Sequence, residues 1–172
     1  MRDWHDAFGN SERDAQRRWG NPAVWDEARI SRLLWTEIPP QYHARIEAVP
    51  FFFLASSDRG GHCDCSFKGG GPGLVRIIDP HTLVFADFDG NHAFMSLGNI
   101  LDNPYVGLLF IDFADGARLR VNGSATIHDD IAQLELFSRL PHVRRVVRVQ
   151  VEQVVPNCAA HVPRLVPAAT RG

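Results

Sequence analysis

The chain has 172 residues, which is enough for one domain with a hydrophobic core and too few for two ordinary domains. Its 18 basic and 20 acidic residues give a net charge of −2 without a basic stripe, which argues against a nucleic-acid partner. The N-terminus lacks the apolar core of a signal peptide and no apolar run is long enough to span a bilayer, so we expect a cytoplasmic protein without a membrane partner.

Residues 1–49 have the pattern of short amphipathic helices, and all four Trp residues lie there. Asn21-Pro22 is typical of a helix start, and Pro39-Pro40 ends the pattern. We predict a helical N-terminal extension over residues 1–49 that covers the main domain or a second subunit. Residues 50–172 then form the main domain.

After residue 50, short apolar or alternating segments separated by turn residues predict antiparallel strands. Asp58-Arg59-Gly60-Gly61 is a hairpin signal, and Asp79-Pro80-His81 is a second turn. The strand-like segments are 51–56, 63–67, 74–78, 82–86, 106–113, 118–127 and 145–154. With no repeat and no linker, this pattern predicts an α+β domain of about six strands and two or three helices, arranged as a barrel or sandwich.

One helix is predicted between the fourth and fifth of these segments, and a shorter one begins at Asp129. The first helix has an apolar side formed by Phe94, Leu97, Ile100 and Leu101. Its other side carries a row of neutral polar residues, which are His92, Ser96, Asn99 and Asn103. A solvated helix face usually carries Glu and Lys, so this row is a candidate binding surface.

The start of this helix is a candidate phosphate site. Gly90-Asn91 leads into it, and Asn91 is a possible N-cap. Free N–H groups and the helix dipole favour an anion at such a position. An ordinary capped helix explains the same residues, because Asn and Gly are common at helix starts.

A glycine-rich loop precedes the third strand-like segment. Of the 18 basic residues only Lys68 is lysine, and it opens the Gly/Pro stretch 68–73. Lys68 and Arg76, on the strand that follows, are candidates to neutralise a phosphate. The spacing fits neither a Walker loop nor a Rossmann fingerprint, and a flexible hairpin loop is the competing interpretation.

Eight motifs follow one another in order over about two-thirds of the chain. They are Phe-Phe-Leu-Ala at 52–55, Ser-Phe-Lys-Gly-Gly at 66–70, Pro-Gly-Leu-Val-Arg at 72–76, Gly-Asn at 90–91, Ser-Leu-Gly-Asn-Ile at 96–100, Asn-Pro-Tyr-Val-Gly-Leu-Leu-Phe at 103–110, Leu-Arg-Val-Asn-Gly at 119–123 and Pro-Asn-Cys at 156–158. In this order the chain resembles the FMN-binding split-barrel proteins related to pyridoxamine 5'-phosphate oxidase.

The resemblance implies a six-stranded antiparallel split β-barrel with peripheral helices, and a homodimer that holds FMN between its subunits. It assigns the phosphate to the strand after the Gly/Pro loop and to the helix start. The residues that match are Arg76, Asn91, Ser96 and Asn99, with Lys68 nearby. The backbone at Leu74 and Val75 is expected to line the isoalloxazine ring.

The chain departs from the true oxidases at one point. Where they carry an Arg-Lys pair at the helix start, this chain has Met95-Ser96, so positive charge must come mainly from Arg76 and Lys68. The resemblance implies a flavin-dependent oxidoreductase that acts on a small organic substrate. The alternative is a split-barrel binder of flavin or haem that does not turn over and serves in a stress response.

The three cysteines raise a further possibility. His62, Cys63 and Cys65 are candidate metal ligands together with Cys158 and His161, but Cys-x-Cys on a strand is not a usual zinc motif. Cysteines on a strand are more often packed in the core, so we predict no metal. His161 is also a candidate to reach the flavin of a partner subunit.

Overall fold

The computed structural model describes residues 7–157 and 160–165, and within them the chain is an α+β protein built on one sheet. The strands are β1 Phe51–Ser57, β2 Cys63–Gly69, β3 Val75–Asp79, β4 Thr82–Phe88, β5 Tyr105–Ile111, β6 Arg118–His128 and β7 Val143–Asn157. The helices are α1 Asn10–Trp19, α2 Glu27–Leu33, α3 His43–Ala48, α4 Met95–Asp102 and α5 Ile131–Glu135. No helix in these ranges is long and apolar enough to cross a membrane.

The sheet has seven strands in the order β2-β1-β5-β6-β7-β4-β3, and every neighbouring pair is antiparallel. The predicted count of six was therefore wrong by one. The hairpin β1–β2 pairs over its whole length, from Phe51 opposite Gly69 to Ser57 opposite Cys63, so both segments are full strands. Among the described residues β2 and β3 each keep an unpaired edge, so strand pairing does not close the sheet into a barrel.

The sheet nevertheless curls around its core. The ring centroids of Phe52 on β1 and Phe85 on β4 are 5.1 Å apart, although these strands are second and sixth in the sheet order. Both rings are fully buried, together with Leu54 on β1, Val121 on β6 and Val149 on β7. Burial of these side chains drives the curl, because a flat sheet would leave one apolar face in water.

The N-terminal region contains three short helices. Helix α1 has no buried residue, whereas Ile38 and Ile46 are fully buried in the main core. Trp35 forms a backbone bridge to Val154 on β7, which ties the segment after α2 to the sheet. The packing of the main body thus extends N-terminally past residue 50, and the division at residue 49 stays a prediction.

Helix α4 begins later than its sequence pattern indicated. Its N-cap is Phe94, not Asn91, because His92 and Phe94 adopt left-handed backbone angles before the first helical turn. Leu97 and Ile100 are buried as expected, but Phe94 and Leu101 are exposed. Phe94 lies outside the helix, so its side chain does not continue the apolar helix face.

Candidate functional site

Edge strand β2 turns three polar side chains toward the inner side of the sheet. In the β1–β2 register Lys68 lies opposite Phe52, Ser66 opposite Leu54 and Asp64 opposite Ser56. These three partners on β1 are all buried in the interior. Side chains alternate along a strand, so Asp64, Ser66 and Lys68 share the inner face with them. Polar groups at this place need partners or a ligand.

The polar row of α4 supplies some of those partners. The Asn99 amide donates a hydrogen bond of 3.1 Å to Ser56 Oγ, and the Asn103 amide donates one of 3.0 Å to Ser57 Oγ. The row therefore holds α4 against β1. Because these amides are bonded within the protein, most of the row is structural and only its first turn borders open space.

Two serines and a carboxylate meet where α4 begins. Ser96 Oγ lies 2.8 Å from Ser66 Oγ, and both hydroxyls donate to Asp64 Oδ2, at 3.2 Å and 2.9 Å. Ser96 is buried, so these bonds satisfy a hydroxyl that would otherwise lack a partner. The arrangement fixes the start of α4 to the edge strand.

A second carboxylate joins the two ends of the sheet. Asp87 on β4 is buried, and its oxygens lie 3.6 Å from Lys68 Nζ on β2 and 2.9 Å from Arg145 Nε on β7. Arg145 also donates a 2.8 Å hydrogen bond to Asp89, and its guanidinium lies 5.1 Å from the ring centroid of Phe94. One arginine thus organises both the carboxylate pair and the segment that leads into α4.

The contribution of Arg145 was missed at the sequence level, although a signal was present. Alternation along β7 places residue 145 on the same face as Val147 and Val149, which are fully buried. A charged residue in an inward register needs a buried partner, and Asp87 lies directly opposite in the β4–β7 register.

These groups surround a cleft of about 190 Å³. Its strand side is formed by Ser66, Lys68 and Asp87, with Phe88 beside them, and its other side is the segment 90–97. Among residues 7–157 and 160–165 no side chain caps α4, so the N–H groups of its first turn are left to other acceptors at this end. The cleft therefore combines one lysine, two serine hydroxyls and a helix N-terminus, which suits a bound anion.

The structure brings together three of the seven residues predicted for a cofactor, namely Lys68, Asn91 and Ser96, which line the cleft. Asn99 lies one turn further along α4 and is bonded to β1. Leu74 and Val75 are fully buried in the core. The Leu74 N–H donates to the Gly71 carbonyl, and the Leu74 carbonyl accepts from Ala86.

Arg76 is not brought to this cleft. It lies opposite Val84 in the β3–β4 register, while Lys68 contacts Asp87, three residues further along β4. An odd separation places Val84 and Asp87 on opposite faces of the strand, so Arg76 and Lys68 are on opposite sides of the sheet. The guanidinium of Arg76 donates to the carbonyl of Leu136 instead.

The glycine-rich loop runs between the two edge strands, so it is not a hairpin loop. Gly71 and Gly73 have φ values of 85° and 87°, which only glycine adopts readily. The N–H groups of Gly70 and Gly71 donate to the Pro50 carbonyl, and that of Gly73 donates to Glu47. These donors are bonded within the protein, so the loop does not present them to a ligand.

The cysteines differ from the prediction. Cys63 and Cys65 are free thiols and exposed, so the expectation of packed core cysteines was wrong for both. Cys158 lies outside the described residues, and His161 is exposed. Within residues 7–157 and 160–165, no group of three or more His, Cys, Asp or Glu side chains is placed to hold a metal ion.

The fold and the cleft define an α+β protein with a curled antiparallel sheet and a polar cleft at the N-terminus of α4. Residues 38–158 match the family model described as pyridoxamine 5'-phosphate oxidase. The chain therefore belongs to the pyridoxamine 5'-phosphate oxidase family, which confirms the resemblance found in the sequence motifs.

Solved structures share this fold. HupZ from Group A Streptococcus is 19% identical with a TM-score of 0.53, and the match covers 68% of this chain and 92% of that one. An FMN-binding protein from Syntrophomonas wolfei is 10% identical with a TM-score of 0.50, covering 87% of this chain and 98% of that one. A search of curated proteins finds no match.

The Arg145 cluster leads to a prediction about stability. Arg145→Met should lower the free energy of unfolding by about 3 kcal/mol near neutral pH. The reason is that Asp87 stays buried and keeps only Lys68, the more distant of its two cations. The Arg145 guanidinium also holds the pKa of Asp89 below its usual value of 3.8. That contribution is present above pH 3.8 and is lost as the pH falls through the lower folded-state pKa. Urea unfolding of the unaltered protein and of Arg145→Met should show that the difference in their unfolding free energies becomes smaller below pH 3.8.

Arg144→Met is the matched control for this measurement. The Arg144 side chain is 61% exposed and its ion pair is with Asp89, not with buried Asp87. We expect it to change the unfolding free energy by less than about 0.5 kcal/mol. Equal losses in the two variants would contradict the role given to Asp87.

Proposed function

We propose that the chain is an FMN-binding split-barrel protein and that the cleft beside Lys68 holds the FMN phosphate. The observation that supports this most directly is the meeting of Lys68 with the uncapped N-terminus of α4. Membership of the pyridoxamine 5'-phosphate oxidase family and the shared fold with an FMN-binding protein support the same conclusion.

The donors around the cleft fit a phosphate. Lys68 supplies a positive charge, and the first turn of α4 supplies backbone N–H groups that no side chain caps. Ser66 and Ser96 add hydroxyl groups, which turn from Asp64 toward the anion when they donate to it. Arg145 keeps Asp87 neutralised while Lys68 binds the ligand, because it is the closer of the two cations.

The size of the cleft limits what it holds. A volume of about 190 Å³ is below the 300–1,000 Å³ typical of small-molecule pockets, so it takes the phosphate end and not the whole cofactor. The ring system then lies outside, near the exposed side chains of Phe94 and Met95 at the start of α4. We propose that a second copy of the chain covers the ring and makes the protein a homodimer.

The proposed activity is that of a flavin-dependent oxidoreductase on a small organic substrate. When bound, FMN supplies the hydride and electron chemistry, while the protein supplies orientation and electrostatics. In this chain Lys68 and α4 hold the phosphate, and Arg145 positions the segment 88–94 through Asp89 and Phe94.

The first test is FMN affinity, measured by quenching of flavin fluorescence on titration. Lys68→Met should weaken binding about 10- to 100-fold, since a charged hydrogen bond contributes about 1.5–3 kcal/mol. Lys68→Arg should retain most of the affinity because the charge is kept. Thermal melts of each variant separate a binding defect from a folding defect.

Arg76→Met serves as the matched comparison in the same titration. It removes one cation from the opposite face of the sheet, so we expect little change in affinity. If Arg76→Met loses FMN affinity and Lys68→Met does not, the phosphate binds at Arg76 and not at Lys68. No FMN binding by the unaltered protein would refute the flavin proposal itself.

A second test separates turnover from binding alone. Under anaerobic conditions, a reduced nicotinamide or deazaflavin donor added to FMN-loaded protein should bleach the flavin absorbance. Protein that binds FMN but is not reduced by either donor would refute the oxidoreductase activity and favour a non-catalytic binder. A Soret band with added haem would identify the haem-binding alternative.

The homodimer has its own test. Leu101 on α4 is 78% exposed and Ile131 on α5 is 76% exposed, and only Leu101 belongs to the helix that borders the cleft. Leu101→Glu should shift the mass measured by light scattering from dimer to monomer and weaken FMN binding. Ile131→Glu should leave both unchanged, and dissociation by both variants or by neither would contradict the proposed interface.

A further inference from the structure

Two exposed thiols form a pair on edge strand β2. Cys63 and Cys65 are two residues apart on a strand, so their side chains point to the same face. That face is opposite to the one that carries Asp64, Ser66 and Lys68, so the thiols do not take part in the cleft. Cysteine is among the most often buried residue types, and an exposed pair without a disulfide is unusual.

The surroundings leave both sulfurs accessible. Across the β1–β2 register, Cys63 lies opposite Ser57 and Cys65 lies opposite Ala55, and neither of these small side chains covers a thiol. On its other side β2 has no neighbouring strand within the described part of the chain, because it is an edge strand of the sheet. The Cys63 thiol donates a 3.5 Å hydrogen bond to the Gly61 carbonyl, which holds it near the hairpin turn.

The strand geometry favours chelation over a disulfide between the two. A rise of about 3.3–3.4 Å per residue separates the two Cα atoms by about 6.7 Å, at the upper limit of about 6.8 Å for disulfides. A bridging metal relaxes this constraint. Two metal–sulfur bonds of about 2.3 Å let the sulfurs stand up to about 4.6 Å apart, whereas a disulfide requires about 2.05 Å.

The number of ligands near the two thiols indicates which kind of metal ion they suit. No third His, Cys, Asp or Glu in the described part of the chain completes a cluster with the two thiols. The neighbouring His62 donates a 2.8 Å hydrogen bond from Nδ1 to Asp58 Oδ2, which turns its ring toward the hairpin. Zinc prefers four ligands, whereas soft thiolates alone suit a monovalent ion such as Cu(I).

We propose that Cys63 and Cys65 form a two-thiolate site for a soft monovalent cation of the Cu(I) class. Each thiol releases its proton as it binds, so two protons leave for every ion captured and no electron is transferred. The site is separate from the FMN cleft and does not depend on flavin binding.

The test uses Cu(I) itself under anaerobic conditions, with competition against a coloured Cu(I) chelator. The unaltered protein should bind one Cu(I) tightly. Cys63→Ser or Cys65→Ser should each weaken binding about 100-fold or more, because only one of the two thiolate ligands remains. Cys158 is retained in every variant, so its contribution is constant. FMN affinity of the same variants should be unchanged.

A pair of variants with equal numbers of cysteines tests chelation directly. Phe67 is exposed on the same face of β2. Cys63→Ser with Phe67→Cys leaves adjacent thiols at 65 and 67, whereas Cys65→Ser with Phe67→Cys leaves thiols about 13 Å apart at 63 and 67. Tight binding by the first and not by the second is the expected result. Equal binding by the two, or full affinity in a single-serine variant, would overturn the proposal.

Discussion

The buried carboxylate of Asp87 is the interaction on which the candidate site depends. It lies between Lys68 on the first strand of the sheet order and Arg145 on the fifth, so it joins regions that strand pairing alone leaves apart. A buried carboxylate without cations would cost several kcal/mol. Arg145 lies directly opposite Asp87 through strand pairing, whereas the curl of the sheet is what brings Lys68 near. The curl in turn places β2 beside the start of α4 and creates the cleft.

The two cations of this cluster have different roles. Arg145 makes the shorter contact with Asp87 and also bonds Asp89 and stacks on Phe94, so its position is fixed from three sides. Lys68 makes a longer contact and lines the cleft, so its ammonium group is the one free to serve an anion. A protein with a single lysine thus places it where a mobile point charge is useful, and uses arginine where directional bonds are needed.

Much of the sheet could be predicted from the sequence, because alternation and turn residues are local signals. The start of α4 and the role of its polar row could not. His92 and Phe94 adopt left-handed angles that their residue types do not indicate, and the amides of Asn99 and Asn103 bond serines on β1 that are distant in the chain. The different roles of Arg76 and Arg145 could not be predicted either, because their partners, the Leu136 carbonyl and Asp87, depend on which segments pack together.

The glycine-rich loop has a mechanical consequence. Residues 70–74 connect the two edge strands directly, so the ends of β2 and β3 are never more than about 20 Å apart along the chain. The sheet cannot unroll without breaking its own backbone path, even when the charges around Asp87 are neutralised. This short covalent link therefore limits how far β2, which carries Lys68, can separate from the strands that carry Asp87 and Arg145.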